Sequence, residues 1–308
     1  MKSNKILIFG SNGLVGSSCK RIFSEDNKYD ILASTREDTD LFDLDATKKT
    51  ISDHSPDIII NAAAKVGGIL ANNNLRTEFI LENLKININI FEACIENPDI
   101  KIINLGSSCI YPLNAPNPIK ESSFMEGKLE ETNSPYAMAK LTAIEIGRSL
   151  NKQFGNKVIN LMPTNLYGPN DNFDETSSHV IPGLIRRMYD SKLNNSPKFS
   201  VWGDGSPLRE FLYVDDLSLA VKFILENKID DDLINIGYGE EISIKDLANK
   251  IKKIIGYEGE IEFDSTKPNG NPRKLLDASL IKNYGWKPKY ELDEGLELSF
   301  KWYKKNLD

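Results

Sequence analysis

Tyr136 and Lys140 stand four residues apart in Pro135-Tyr136-Ala137-Met138-Ala139-Lys140, and Ser107 lies upstream in Leu105-Gly106-Ser107-Ser108-Cys109-Ile110-Tyr111-Pro112. If residues 134–154 are helical, Tyr136 and Lys140 share one face, one turn apart. A nearby ammonium stabilises a phenolate and so lowers a phenol pKa that starts at ~10, making the hydroxyl a better acid near neutrality. A serine at the carboxyl end of a strand would hold a carbonyl oxygen against that phenol. The three side chains describe a proton donor, its tuner and its positioner, for a carbonyl that receives hydride from a cofactor. Spacing alone carries nothing, because 11 tyrosines and 30 lysines in 308 residues give about one such pair by chance. Context carries the reading: the pair opens a helical stretch, follows a strand ending in Gly-Ser-Ser, and lies downstream of a glycine-rich turn.

The elements that must position these residues can be read from the apolar runs. Lys5-Ile6-Leu7-Ile8-Phe9 is a short buried strand leading into Gly10-Ser11-Asn12-Gly13-Leu14-Val15-Gly16 and a helix to about Phe23. That order suits a dinucleotide: glycines allow close backbone approach, and the helix start offers free N–H groups to a pyrophosphate. A second strand at 30–34 ends beside Thr35 and Arg36, where an acid would bind the 2'-hydroxyl of NAD and an arginine accommodates the 2'-phosphate of NADP. Arg36 therefore favours NADP(H), although alone it also reads as a surface residue. Further strands are expected at 57–61, 101–105 and 157–162, with helices at 45–54, 75–97 and 134–154 between them; Asn72-Asn73-Asn74 reads as a turn. This alternation predicts an α/β fold with a doubly wound parallel sheet, ligands sitting at the carboxyl ends of its strands, where Gly10, Ser107 and Pro163-Thr164-Asn165 all fall.

Beyond Pro163 the pattern becomes irregular, so a smaller domain is expected over 166–210 and 239–308, with 1–165 and a returning 211–238 forming the first. Helices are expected at 180–192, 214–226, 243–255 and 293–306, and strands at 199–202 and 233–236. Ser243-Ile244-Lys245-Asp246 resembles a capping box. A net charge of -7 and a sequence pI of about 5.2 argue against a nucleic-acid partner. No apolar run approaches the roughly 18 residues of a membrane span, and the first strand begins too early for a signal peptide, so a cytoplasmic protein is expected. Cys19, Cys94 and Cys109 have no metal-like spacing; the first two fall in helical patterns and read as buried thiols.

Tyr-x-x-x-Lys with an upstream Ser, behind Gly-x-x-Gly-x-x-Gly, resembles the extended short-chain dehydrogenase/reductase superfamily, which often acts on nucleotide sugars. Narrower blocks are similar to the GDP-L-fucose synthases within it, the GDP-4-keto-6-deoxy-D-mannose epimerase/reductases: Ala62-Ala63-Ala64-Lys65-Val66-Gly67-Gly68-Ile69, the Cys109 block, Pro163-Thr164-Asn165-Leu166-Tyr167-Gly168-Pro169 and Ser178-His179-Val180-Ile181-Pro182. The resemblance implies a Rossmann-type domain with a smaller substrate domain, NADP(H) as cofactor, a GDP-sugar substrate, and a homodimer through the 75–97 and 134–154 helices. Ala137, Ala139, Ala143 and Gly147 would allow close helix packing, across the dimer or within the chain. Where the family carries a second arginine in the glycine turn, this chain has Asn12, leaving the NADP preference to Arg36.

For the chemistry, the resemblance assigns Ser107, Tyr136 and Lys140 to ketone reduction, Cys109 as base and His179 as acid in epimerisation. Along the cofactor it places Gly10 to Gly16, Arg36, Leu41, Ala63, Leu105, Gly106, Lys140, Pro163, Asn165, Leu166 and His179. On the sugar nucleotide it places Ser107, Ser108, Cys109, Tyr136, Asn165, Arg187, Trp202, Arg209 and Asp277, with the 267–274 loop folding over the nucleotide. Arginine suits phosphate and an indole suits a stacked base; without the resemblance, Trp202 reads as core and the arginines as a solvated face. Two rivals make different demands. A 4-reductase or 4-epimerase of the same fold has no need of Cys109 with His179, and a non-catalytic NADP-binding protein has no need of Tyr136 or Lys140.

Overall fold

A computed structural model describes residues 3–267 and 269–307. The chain begins β1 (Asn4–Phe9), α1 (Leu14–Ser24), β2 (Tyr29–Ser34), α2 (Leu44–His54), β3 (Ile58–Asn61), α3 (Ile69–Asn74), α4 (Arg76–Ala93), β4 (Lys101–Leu105), α5 (Ser134–Phe154) and β5 (Lys157–Pro163). It continues β6 (Asn165–Tyr167), α6 (Val180–Leu193), β7 (Lys198–Trp202), β8 (Leu208–Arg209), β9 (Phe211–Tyr213), α7 (Val214–Glu226) and β10 (Leu233–Ile236). Six of these strands form one parallel sheet in the order β2-β1-β3-β4-β5-β10. Successive side chains alternate between its faces: Ile6, Ile8, Ile60 and Ile103 pack with Cys19, Phe23 and Leu217 on one side, whereas Leu7, Phe9, Ile59 and Ile102 pack with Ile90, Phe91 and Ala143 on the other. The mixed α/β architecture is the doubly wound one that the apolar runs predict.

Asn61, Asn104 and Asn160 stand in register near the carboxyl ends of β3, β4 and β5, all buried. The amide of Asn61 donates to Asn104 (3.4 Å) and to Asn87 of α4 (3.0 Å); Asn104 donates to Asn160 (2.8 Å), and Asn160 to the Asp232 carbonyl (3.0 Å). Buried amides persist when paired in this way, and the row fixes the strands just before the loops that carry the site.

The remaining elements are β11 (Ile242–Ser243), α8 (Ile244–Ile255), β12 (Glu260–Asp264), β13 (Arg273–Lys274), α9 (Ser279–Asn283) and α10 (Leu292–Lys305). A second core around Met188, Phe199, Leu247, Ile251 and Leu296 lies among α6, β7, α8 and α10. Ser243 caps α8 by accepting from Asp246 N at 3.0 Å, as its Ser-x-x-Asp pattern predicts. Two features depart from expectation. Asn72 to Asn74 are helical, because the Asn72 amide turns back to the Gly67 and Gly68 carbonyls (2.6 and 3.1 Å) and closes a turn of helix. Ala278, Ile281 and Trp286 pack into the core of the six-stranded layer, so the chain returns to that layer once more than the sequence indicated. No helix among the described residues is long and apolar enough to cross a membrane.

Candidate active site

β1 runs into Gly10, whose φ of +74° is a conformation that side chains disfavour and where a Cβ would stand 2.7 Å from Ala63 N. A Cβ on Gly16 would stand 2.2 Å from the Gly10 carbonyl oxygen, so α1 rests directly on the turn. Ser11 and Gly13 spend their N–H groups inside the protein, on Ser34 O and Gly10 O (both 3.1 Å), and shape the turn. The donors left for an anion are those of the first turn of α1, at Leu14, Val15 and Gly16, with Asn12 at the lip. These features fit a dinucleotide pyrophosphate.

Next to the turn is a cavity of about 320 Å³ whose walls include Asn12, Thr35, Arg36, Leu41, Phe42 and Ala63. Arg36 is exposed at its mouth with its guanidinium 5.9 Å from the Phe42 ring centre, and Lys85 of α4, which the sequence did not single out, brings a second cation to 5.8 Å from the same ring. A larger hollow, about 980 Å³, lies between α8 and α10 among lysines and acids and contains no residue of this site.

At the end of β4 the chain passes Leu105 and Gly106 into a short turn that holds Ser107, Ser108 and Cys109. Ser107 Oγ accepts from Cys109 N at 3.2 Å, fixing the two functional side chains to one tight loop. The α5 helix places Tyr136 and Lys140 on one face, with Lys140 Nζ 5.8 Å from the Tyr136 ring centre. The Tyr136 phenol faces the Ser107 hydroxyl and the Cys109 sulfur.

One electrostatic expectation is corrected. The Tyr136 pKa is raised, not lowered: burial of the hydroxyl dominates, the neighbouring Cys109 adds to it, and the Ser107 hydroxyl works the other way. The side chain is half-buried overall, with the hydroxyl lying among protein groups. Lys140 does not offset this, because its ammonium donates to the Leu105 carbonyl at 2.7 Å and its own pKa is pushed down to about 8 by burial.

Asn133, at the N-cap of α5, was not anticipated. Its Nδ2 donates to Cys109 Sγ at 3.4 Å, and its Oδ1 is buried without a partner. The segment before it is tied down twice. Glu130 accepts from Thr132 N and Asn133 N (both 3.1 Å), and Arg76 of α4 donates to Glu131 O at 2.9 Å and Ser134 Oγ at 3.3 Å.

His179 is the N-cap residue of α6, its ring beside the Gly67 backbone. Its loop is pinned to the one after β3: Gly68 N donates to Ser177 O at 2.9 Å, and a Cβ on Gly68 would meet Ser178 O at 2.5 Å. A Cβ on Gly67 would lie 3.3 Å from Phe79, whose ring packs edge-on against Tyr136 with centres 6.2 Å apart, so Gly67 and Phe79 link the two loops. Although His179 is exposed at the surface, the protein packed around its ring lowers the imidazole pKa, and the Gly67 backbone partly offsets this.

Of the sugar-nucleotide residues, Asn165 donates to the Glu210 carbonyl at 2.8 Å and flanks the Pro163 end of β5, with Leu166 packed against the core beside it. Trp202 is 47% exposed with Lys267 Nζ 5.9 Å above its ring, so the core reading of this indole does not hold. The 267–274 loop folds toward it: Asn269 accepts from Asp204 N at 2.9 Å, and a Cβ on Gly270 would lie 3.4 Å from Arg209 and 3.7 Å from Ile69. Pro268 of that loop lies outside the described residues. Arg187 stacks over Phe199 at 5.4 Å, on the buried side of β7. Asp277 accepts from Ser279 N at 2.9 Å and is tied to Arg209 through Glu210, whose buried carboxylate accepts from Gly239 N (2.7 Å) and Leu276 N (3.1 Å).

A nucleotide cradle, a phenol facing a serine and a thiol beside both define an oxidoreductase site at the carboxyl ends of a doubly wound sheet. The chain belongs to the NAD dependent epimerase/dehydratase family, whose model it matches over residues 6–237. It is 44% identical over 306 residues to GDP-L-fucose synthase 1 of Arabidopsis thaliana, covering 99% of this chain and 95% of that protein. It is 40% identical over 317 residues to the GDP-L-fucose synthase of Escherichia coli (strain K12), covering 100% and 99%. A solved GDP-L-fucose synthetase from Naegleria fowleri bound to NADP superposes with a TM-score of 0.89 at 28% identity, covering 99% of this chain and 95% of that one.

Proposed function

We propose that this protein converts GDP-4-keto-6-deoxy-D-mannose to GDP-L-fucose, inverting carbons 3 and 5 and reducing the ketone at carbon 4 with NADPH. The observation that carries the reading is the Cys109 thiol on the Ser107 turn beside the Tyr136 phenol. A group able to take protons from carbon thus shares one binding site with a group able to give a proton to a carbonyl oxygen.

The ketone acidifies the C–H bonds at carbons 3 and 5. Cys109 as thiolate removes a proton, and Ser107 and Tyr136 hold the oxygen on which negative charge gathers. His179 returns a proton from the opposite face. Each inversion leaves a neutral thiol and a neutral imidazole, so both must exchange protons with solvent before the second; neither Cys109 nor His179 is sealed from it. Bound NADPH supplies hydride to carbon 4. Tyr136 gives its proton to the resulting alkoxide, a base far stronger than any phenolate, so the raised phenol pKa does not prevent transfer. Lys140, held one turn along α5 by the Leu105 carbonyl, is assigned to the nicotinamide ribose. Arg187, Trp202 and Arg209 are assigned to the GDP portion, with the 267–274 loop closing over it.

Incubation with NADPH and the keto-sugar in heavy water tests the reading. Deuterium at carbons 3 and 5 of GDP-L-fucose is expected by NMR, and a reduced but unepimerised sugar would overturn it.

Cofactor choice is assigned to Arg36. Charge-assisted contacts of ~1.5–3 kcal/mol predict that Arg36→Ala weakens NADPH binding about 10- to 100-fold and leaves NADH binding unchanged. Fluorescence titration of each dinucleotide reads the difference.

A homodimer through α4 and α5 is part of the same reading. Its support is the apolar surface these helices leave uncovered, Leu81 and Ile88 two turns apart on α4 and Met138 on α5. The small residues of α5 serve the chain's own packing, since a Cβ on Gly147 would lie 2.8 Å from Val158 of β5. Leu81→Glu with Ile88→Glu is expected to give a folded monomer by sedimentation; an unchanged mass would exclude this face.

A further inference from the structure

We propose that Asn133 is a positioning residue for Cys109: its side-chain amide donates to the sulfur and enlarges the thiolate share that removes protons from the sugar. This rests on the functional reading above for the sugar, but not for the thiol.

Three observations carry it. Asn133 Nδ2 lies 3.4 Å from Cys109 Sγ, within the range of an N–H···S hydrogen bond, which an ionised sulfur accepts more strongly than a neutral one. Asparagine is also among the preferred N-cap residues, yet Asn133 makes no side-chain cap on α5. Its amide is turned to the sulfur instead, and its Oδ1 is left buried without a partner. A side chain that gives up a favourable local bond and keeps a buried acceptor unpaired is held by something other than helix stability. Finally, the Glu130 carboxylate from within the 130–134 segment and Arg76 of α4 from outside it tie that segment down, so the amide is delivered to the sulfur by a fixed backbone. Of the titratable groups nearby, the Tyr136 phenol lies beside the sulfur, and the Glu130 carboxylate is spent on the N–H groups of Thr132 and Asn133.

The test is alkylation of the intact protein by iodoacetamide across pH, read at Cys109 by mass spectrometry in wild type, Asn133→Ala and Asn133→Asp. Cys19 and Cys94 are buried, with thiols pushed up to about 11 and about 12, and do not obscure the signal. Loss of one charge-assisted donor is expected to move the alkylation profile about one pH unit upward in Asn133→Ala, roughly tenfold slower labelling at neutral pH. Asn133→Asp, equal in shape and opposite in effect, moves it further. Deuterium entry at carbons 3 and 5 falls in step, while reduction of the sugar already epimerised at both carbons stays within about twofold. Coincident alkylation profiles in all three proteins would overturn the proposal, as would exchange and reduction falling together. A shifted profile with no exchange in the wild type would leave the Asn133 assignment standing and remove the functional reading.

Discussion

Tyr136→Phe is expected to slow NADPH oxidation by about 10³-fold, the middle of the range for loss of a general acid, while deuterium still enters carbons 3 and 5. The substitution removes one oxygen and leaves the ring against Phe79. Stopped-flow absorbance at the nicotinamide band reads the first quantity and NMR the second; equal loss of both would mean that the phenol acts mainly on the enolate. The same helix face has a pH signature in Lys140. Its pKa is depressed from 10.5 to about 8 by burial, so the native chain releases this proton before the unfolded chain does. Between about pH 8 and 10.5 the unfolded state therefore binds more protons, and stability rises with pH across that window, by up to roughly 3 kcal/mol in total. Wild type is expected to gain thermal stability from pH 8 to 10 relative to Lys140→Met, while its reduction rate falls above about pH 8 as the ammonium assigned to the nicotinamide ribose is lost. Parallel stability curves for the two proteins would show that Lys140 is not desolvated as its burial implies.

Much of this site was legible because its elements are dictated by local pattern. The apolar runs gave β10 and α7 their bounds, and Pro135 at the start of α5 with Gly155 after it marks that helix at both ends. What escaped the sequence depends on where a side chain turns once the fold is made. Asn133 stands at the N-cap of α5, and nothing in the chain order says that its amide points at a sulfur 24 residues away. The Tyr136–Lys140 spacing suggested a depressed phenol pKa; desolvation outweighs it, and the lysine binds a strand carbonyl. Glu210 gives no sign in the sequence of clamping Gly239 and Leu276, and Lys85 meets Phe42 only because α4 crosses that end of the cleft. One signal was available: each of three apolar runs carries one Asn, at Asn61, Asn104 and Asn160, a repetition that predicts paired amides across neighbouring strands.

Cys109→Ser carries the other large effect, a loss of about 10³-fold or more in deuterium entry at carbons 3 and 5, with reduction now giving an unepimerised sugar. A serine hydroxyl keeps the shape but is not ionised near neutrality, whereas an ordinary thiol titrates at ~8.5. His179→Gln separates the two halves of the inversion: the thiolate still removes the proton, and the thiol returns a solvent deuteron to the same face, giving exchange with retained configuration. The active protonation state pairs a thiolate with an imidazolium. When the thiol is the weaker acid of such a pair, that state is a minority form whose share is constant between the two pKa values and changes tenfold per unit of their difference. Packing around His179 lowers the imidazole pKa and so reduces the share, and the Asn133 amide acts in the opposite direction on the sulfur. Epimerisation is therefore expected to follow a bell with a broad flat top, its acid limb lying below the ordinary imidazole value of ~6.5, while reduction of the epimerised sugar shows no such limb. An acid limb common to both steps would place His179 in sugar binding and leave the return of the proton to another group.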